Sequence, residues 1–478
     1  MDILSSPTPL WVFDKAPEAG ERVFQRPVGH SRRRRTARPF LTSIVLAFAL
    51  TPTVVLANDL MTVYRLAREH DPKLQAAEFT YRAGLQKLPQ ARALLLPTIS
   101  ATTRKNRNRE ETVTDSSISS RPAGSAEYDS TEYALNLTQP VFNSASLAEV
   151  RRAGADVRRA EAERLGAQQD LMLRVVEAYL NVLAAADGLE FARAEKSAVA
   201  RNLETVQGRL RVGLAAKADV HEAKARYELV AVQEVEAENE LEDRQEALRE
   251  LTSRRHRSLA RLAERIPLAA PAPPDVNHWV QAALTQSPAL VARRETVESA
   301  REEVKRSHAG HYPSLDVVGS RTRTDADASI SGPGIRADNT VLGLQLTVPL
   351  IQGGLVSART AEAGHRLSAT EQELEGARRN VERTVRSAFL GVVSGVARVN
   401  ALTQAVTASE AALQVKAEGF KVGVNTLLDV LDAHRELYRA KRDHARARYS
   451  YALNWLRLKQ NAGTLSEDDV AHVNGWLQ

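Results

Sequence analysis

The 478-residue chain contains no cysteine. That excludes disulfides and thiolate metal centres, and leaves no thiol for lipid attachment. Aromatic residues make up 5% of the chain, too few for stacking platforms that hold bases. Proline is absent from Val141 to Ile266 and again from Leu350 to the C-terminus. Beyond the first 57 residues there is no run of about 18 apolar residues, so no further transmembrane helix is expected. The formal charge is +6. Residues 1–57 hold eight Lys/Arg and four Asp/Glu, which leaves +2 for the remainder (6 − 4). A nucleic-acid partner is therefore not expected. The motifs of catalysis are missing too. There is no phosphate-cradling glycine pattern and no GxSxG, and His221-Glu222 opens no HExxH because position 225 is Ala. His308 and His311 are spaced i, i+3 without a third ligand nearby, which fits solvated histidines at a helix end. The chain is expected to be no enzyme and to hold no cofactor or metal.

Residues 1–57 read as a leader. Ser31–Arg38 is basic, Phe40–Leu56 is apolar, and Val55-Leu56-Ala57 supplies a small-residue cleavage site. Asn58 is the expected mature start. Residues 1–30 are unusual ahead of such a leader, and translation beginning nearer Val28 accounts for them. The alternative, a membrane anchor, fits poorly because the apolar stretch is short and holds Pro52.

The element the chain is arranged around occurs twice. Lys421–Tyr438 reads KVGVNTLLDVLDAHRELY, and Arg211–Tyr227 reads RVGLAAKADVHEAKARY. Each is a helix end, a tight Val-Gly turn at Gly423 or Gly213, and a new helix start. Asp429 and Asp432 lie three apart on the second helix start, and so share one face. Asp219 and Glu222 hold the matching places in the first copy. Two solvated surface turns are the plain alternative, and the duplication argues against it.

Other landmarks repeat as well. Ser287-Pro288 follows Asp71-Pro72 by 216 residues, and Tyr312-Pro313 follows Leu96-Pro97 by the same interval. Asn58–Leu96 is expected to be helical, broken at Asp71-Pro72 with Asp71 as an N-cap. Thr98–Arg107 and Tyr133–Gln139 alternate as strands, joined by a polar loop over Glu110–Ser130 and closed by Pro140. Ser144–Val212 is then one helix, roughly 100 Å long at 1.5 Å per residue. Lys217–Leu251 returns beside it. The second half repeats the plan, with strands at Leu315–Thr322 and Asn339–Val348 and a loop at Asp325–Asp338. This gives a leader (1–57), a first repeat (58–266), a linker (267–286) and a second repeat (287–478).

The strands alternate apolar with small or polar residues. Tyr133, Leu135 and Leu137 share a face, as do Leu342, Leu344 and Leu346. Lipid-facing barrel strands have this pattern, as do half-buried soluble strands. Four strands cannot close a membrane barrel, and an open edge in hydrocarbon leaves backbone groups unpaired. If these strands span a membrane, several chains share one barrel. The long helices, rich in Arg and Glu, then lie outside the hydrocarbon.

NDLMTVYRLAREHDPKLQAA, LPTIS, LTQPVFN, EAYLNVLAA and RVGLAAKADV in the first half, with HYPSLDV, LTVPLIQGG and FKVGVNTLLDVLDA in the second, resemble the TolC family of outer-membrane export channels. The resemblance spans Asn58 to about Leu465. It implies an α+β membrane protein, a homotrimer with one twelve-stranded outer-membrane barrel, four strands per chain, continued by a periplasmic α-helical barrel. It also implies a periplasmic adaptor and an inner-membrane translocase, ABC-type or other, working in type I secretion or efflux of a protein or small molecule. The missing cysteine sets the chain apart from the lipid-anchored efflux branch. A member dedicated to toxin secretion, such as the outer-membrane partner of an adenylate cyclase toxin, is the narrower resemblance. By position, Asp429 and Asp432 match aspartates ringing the periplasmic entrance, and Asp219 matches one that helps hold the coils shut. Phe420 stands in place of a tyrosine and Asn425 in place of an arginine, so those two closing links are lost. A periplasmic adaptor or scaffold is the rival from another class. It would show one helical hairpin between β-rich halves, whereas this chain shows two hairpins and two strand pairs.

Overall fold

A computed structural model describes residues 59–112, 124–256, 258–329 and 332–478. The leader expected over 1–57 lies outside the described residues. Helix α1 (Leu60–His70) starts where the Asp59 carboxylate accepts the Thr62 N–H, and buries Leu60, Val63, Tyr64 and Ala67 at helical spacing. Asp71 ends α1 and caps α2 (Pro72–Leu85), accepting the Leu74 N–H at 2.8 Å, with Pro72 as the first helical residue. Helix α3 (Lys87–Ala93) follows.

Strand β1 (Thr98–Thr112) pairs antiparallel with β2 (Gly124–Phe142), β2 with β3 (Ser314–Ser329), and β3 with β4 (Gly332–Thr347). The sheet order β1-β2-β3-β4 leaves β1 and β4 as open edges. The expected strands are therefore too short. Glu110–Thr112 and Gly124–Ser130 belong to strands rather than to a loop, and residues 113–123 lie outside the described residues. The Asp325–Asp338 loop is likewise a strand pair, with Asp325 opposite Arg336 and Ser329 opposite Gly332. The cause is physical. Past Tyr133 the ladder continues on charge pairs, Arg107 with Asp129 and Arg336 with Asp325, where apolar alternation gives no signal. Pro140 does not close β2 either. It sits at a register shift between Pro140 and Phe142, one of the places where a strand tolerates proline.

The two long hairpins follow the expectation closely. Helix α4 (Ser144–Arg211) has 68 residues and α5 (Lys217–Thr252) returns along it. Helix α6 (Val276–Gln286) occupies part of the stretch expected as a linker, and α7 (Pro288–His308) continues from it. Asp275 caps α6 through the Asn277 N–H, so three prolines just upstream did not prevent a helix. Helices α8 (Leu355–Lys421), α9 (Leu427–Asn461) and α10 (Glu467–Asn474) complete the chain.

One core gathers α1, α4, α6, α9 and α10 around buried Tyr179, Tyr451 and Leu456. Tyr179 donates to the Ala260 carbonyl at 2.9 Å, and Tyr451 to that of Ala269 at 3.0 Å. Arg174 of α4 grips Asp71 with two bonds of 3.1 and 2.9 Å. Burial pushes the Asp71 carboxyl up, but the Arg174 bonds and the Leu74 N–H outweigh it and hold the group below its ordinary value. Away from this core, α4 packs on α5 and α9, and α9 on α8. The outer helices of that array, α5 and α8, carry uncovered aliphatic side chains. Leu229, Val232 and Val235 of α5 are 59%, 56% and 57% exposed, and Leu390 and Val415 of α8 are 63% and 69% exposed. An 18-residue window of α8 is apolar enough to cross a membrane, yet only 17% of it is buried within the single chain.

Candidate functional site

The two Val-Gly turns lie at one end of the hairpins and have the same bonding. At the first, Gly213 N–H donates to Leu210 O (3.0 Å) and Leu214 N–H to Arg209 O (2.8 Å). At the second, Gly423 N–H donates to Phe420 O (3.3 Å) and Val424 N–H to Gly419 O (2.8 Å). Gly213 and Gly423 have φ of +76° and +81°, a left-handed conformation that a Cβ would strain. Each turn leaves two aliphatic side chains in solvent, Val212 and Leu214 at one, Val422 and Val424 at the other.

The four acidic residues do different jobs in the chain. Asp219 and Asp429 are the third residues of α5 and α9. The Asp219 carboxylate accepts the Ala216 N–H at 3.0 Å. Asp429 accepts from both the N–H (2.9 Å) and the hydroxyl (2.6 Å) of Thr426, whose oxygen accepts the Asp429 N–H in return. The Thr426 hydroxyl, then its N–H, hold the Asp429 carboxyl below its ordinary value of 3.8. Asp432 instead pairs with Arg435 at 3.1 Å and is half-exposed. Glu222 is exposed and makes no ion pair among the described residues. No hydrogen bond or ion pair among the described residues joins the first acidic pair to the second.

Asn425 is tied inside its own turn. Its N–H donates to Gly419 O, its side chain rests where a Gly419 Cβ would collide, and it bonds Asp429. Phe420 has a partner that sequence reasoning missed. The Arg209 guanidinium stands over its ring at 4.4 Å from the centroid, joining the ends of α4 and α8. Phe420 also packs on a tip cluster of Val199, Val206, Ala223, Val230, Leu427 and Leu431, drawn from both hairpins.

A second missed contact lies further along α4. Glu195 is 1% exposed and bridges Arg226 of α5 and Arg442 of α9, each at 3.3 Å. Its sequence signal was a carboxylate on the seam that also buries Ala192, Ala198 and Val199. His308 and His311 meet edge to face at 5.5 Å, with no metal-binding group of three among the described residues.

The family model described as outer membrane efflux protein matches residues 63–254 and 279–464, one match to each hairpin-bearing half. The chain belongs to the outer membrane efflux protein family. It is 35% identical over 434 residues to the outer membrane protein TolC of Vibrio cholerae, covering 90% of this chain and 97% of that protein. It is 30% identical over 444 residues to the alkaline protease secretion protein AprF of Pseudomonas aeruginosa, covering 92% and 91%. The fold matches the outer membrane protein VceC of Vibrio cholerae with a TM-score of 0.72 at 21% identity, over 84% of this chain and 96% of that one. The protein is thus an outer-membrane channel for secretion or efflux, of the TolC-like branch, contributing four strands to a barrel and long hairpins to a periplasmic tunnel. Its named relatives are outer-membrane and secretion proteins rather than enzymes. Similarity to outer-membrane proteins over nine-tenths of the chain leaves the periplasmic scaffold without support.

Proposed function

We propose that three copies close into one export channel whose periplasmic gate is the paired Val-Gly turn region, with mature chains beginning near Asn58. The observation that carries this reading is the pair of open edges. β1 and β4 each keep one edge without a partner among the described residues, and α5 and α8 carry exposed aliphatic rows, so the sheet and the helical array are both incomplete. In the trimer Asp429 and Asp432 supply six carboxylates around the axis, with Asp219 and Glu222 behind them. The aliphatic tips Val212, Leu214, Val422 and Val424 fit docking by a helical periplasmic adaptor, with an inner-membrane translocase beyond it. Likeness to a protease secretion protein over most of the chain favours protein export as one use of the channel.

The closed state is held within the chain by Arg209 on Phe420, in place of the absent tyrosine hydroxyl and arginine. A contact of this kind contributes about 1 kcal/mol, or about fivefold in an equilibrium. Planar-bilayer recordings test both readings. The purified protein is expected to show a small resting conductance with brief openings. Phe420→Leu is expected to raise open probability about fivefold, and Phe420→Trp to return it to the parent level or below. Equal behaviour of the Leu and Trp variants would reject the clasp. A protein with no channel activity would reject the export reading itself.

A further inference from the structure

We propose that a cavity where strands become helices holds the anionic headgroup of a phospholipid from the periplasmic leaflet. The inference rests on the reading that the strands span the outer membrane. The cavity, about 390 Å³, lies among the start of α4, the end of α7 and the start of α8, and is lined by Ser144, Leu147, Arg151, Lys305, His308 and Tyr312.

Strand register sets its height. Phe142 pairs with Leu315, and Leu315 with Leu346, forming the last paired row of the apolar face on the helix side of the sheet, with Val348, Leu350 and Ile351 exposed just beyond it. Ser144 follows Phe142 by two residues and Tyr312 precedes Leu315 by three. The cavity therefore begins just past the last paired row, level with the exposed Val348, Leu350 and Ile351 at the boundary of the hydrocarbon. From Ser144 to Arg151 the helix rises about 10 Å, which covers the headgroup layer of roughly 5–8 Å. The exposed aliphatic Leu147 and the half-exposed ring of Tyr312 continue the lipid-facing surface, as aromatic residues do at a membrane interface.

The charge is suited to a phosphodiester. Nearby Glu149 is engaged by Arg152, Glu303 by Arg306, and Glu302 by Lys305. Arg151 makes no ion pair among the described residues, and so leaves one unmatched positive charge at the mouth. A basic pocket at this depth fits an anionic lipid headgroup with its acyl chains against the barrel. α4 follows β2, α7 precedes β3 and α8 follows β4, and α7 packs on both α4 and α8, so every lining residue comes from one chain.

The test is native mass spectrometry of the purified protein with phosphatidylglycerol, phosphatidylethanolamine or inorganic phosphate added. Phosphatidylglycerol is expected to be retained in preference to phosphatidylethanolamine. Arg151→Glu is expected to weaken that retention about tenfold, and Arg151→Lys to preserve it. Equal retention by the parent and Arg151→Glu would overturn the proposal, as would displacement by an equal concentration of inorganic phosphate. If Arg151→Glu does not assemble, a photoreactive phosphatidylglycerol on the parent protein decides the matter. Adducts within 144–151 and 304–312 support the site. Adducts on the strands alone overturn it while leaving the barrel intact, and adducts on neither overturn the membrane reading as well.

Discussion

Leu344→Arg is expected to abolish recovery of the assembled protein from the outer membrane, whereas Gln345→Arg, one residue along, leaves assembly intact. Both positions lie in β4, paired with Val317 and Asp316 of β3 in an unbroken register. Side chains alternate across a strand, so the two point to opposite faces. Leu344 shares its face with Leu342 and Leu346, and these are 72%, 75% and 63% exposed in the single chain. Their area is covered only if lipid meets it. An arginine on the lipid face costs about 2–4 kcal/mol at the bilayer midplane and about 0–1 kcal/mol at its edges, and Leu344 lies one row inside the last paired row of the apolar face, so about 1–2 kcal/mol per copy applies. Three copies in one barrel bring the sum to roughly 3–6 kcal/mol, a large share of the stability of a typical protein. Gln345 faces the lumen, where an added arginine meets water and shifts ion preference without opposing insertion. Heat-modifiable migration of the outer-membrane fraction reads the outcome. Loss of assembly in both variants, or in neither, contradicts the assignment of faces.

Asp432→Ala is expected to lower the cation preference of the channel several-fold and to relieve block by multivalent cations, with the trimer preserved. Asp432 is on the helix face, pairs with exposed Arg435, and takes no part in the α9 cap that Thr426 and Asp429 form. In the proposed trimeric ring its removal deletes three of six carboxylates. A unit charge 4 Å away in water is worth about 1 kcal/mol, or about fivefold, and clefts of one sign focus this further. Asp429→Ala is a poorer probe, because it also removes the cap on α9 that Thr426 and Asp429 build together. Asp429 has its pKa lowered in the fold. The stability from that cap is therefore present above the group's ordinary value and is lost as pH falls through the lowered one. Reversal potentials in a salt gradient give the measurement. Selectivity and block unchanged in Asp432→Ala would show these aspartates to be ordinary solvated helix starts.

Much of this architecture is legible in the sequence. Long proline-free stretches of strong helix formers set α4 and α8, and their ends fall at Val212 and Val422 because each is followed by a glycine in a left-handed turn. Asp71-Pro72 and Ser287-Pro288 mark helix starts for similarly local reasons. What escaped depends on partners distant in sequence. The outer thirds of the strands are held by cross-strand charge pairs such as Arg109 with Glu127, which look like loop composition when read one segment at a time. Helix α6 owes its place to Trp279 and Val280 packing into the main core. Arg209 and Phe420 lie 211 residues apart, and Glu195 and Arg442 lie 247 apart. No local pattern joins them. At the tip, position told where the acidic residues are, and only the geometry separated Asp429, which caps a helix, from Asp432, which does not.

If one chain is a third of a channel, the free edges of β1 and β4 close only against two further copies. The mass of the native complex, released from mild detergent in the gas phase, decides this. A single species at three times the mass of the processed chain is expected, because both edges of the sheet and of the helical array are then closed. A stable monomer or dimer with the strands still folded would contradict it.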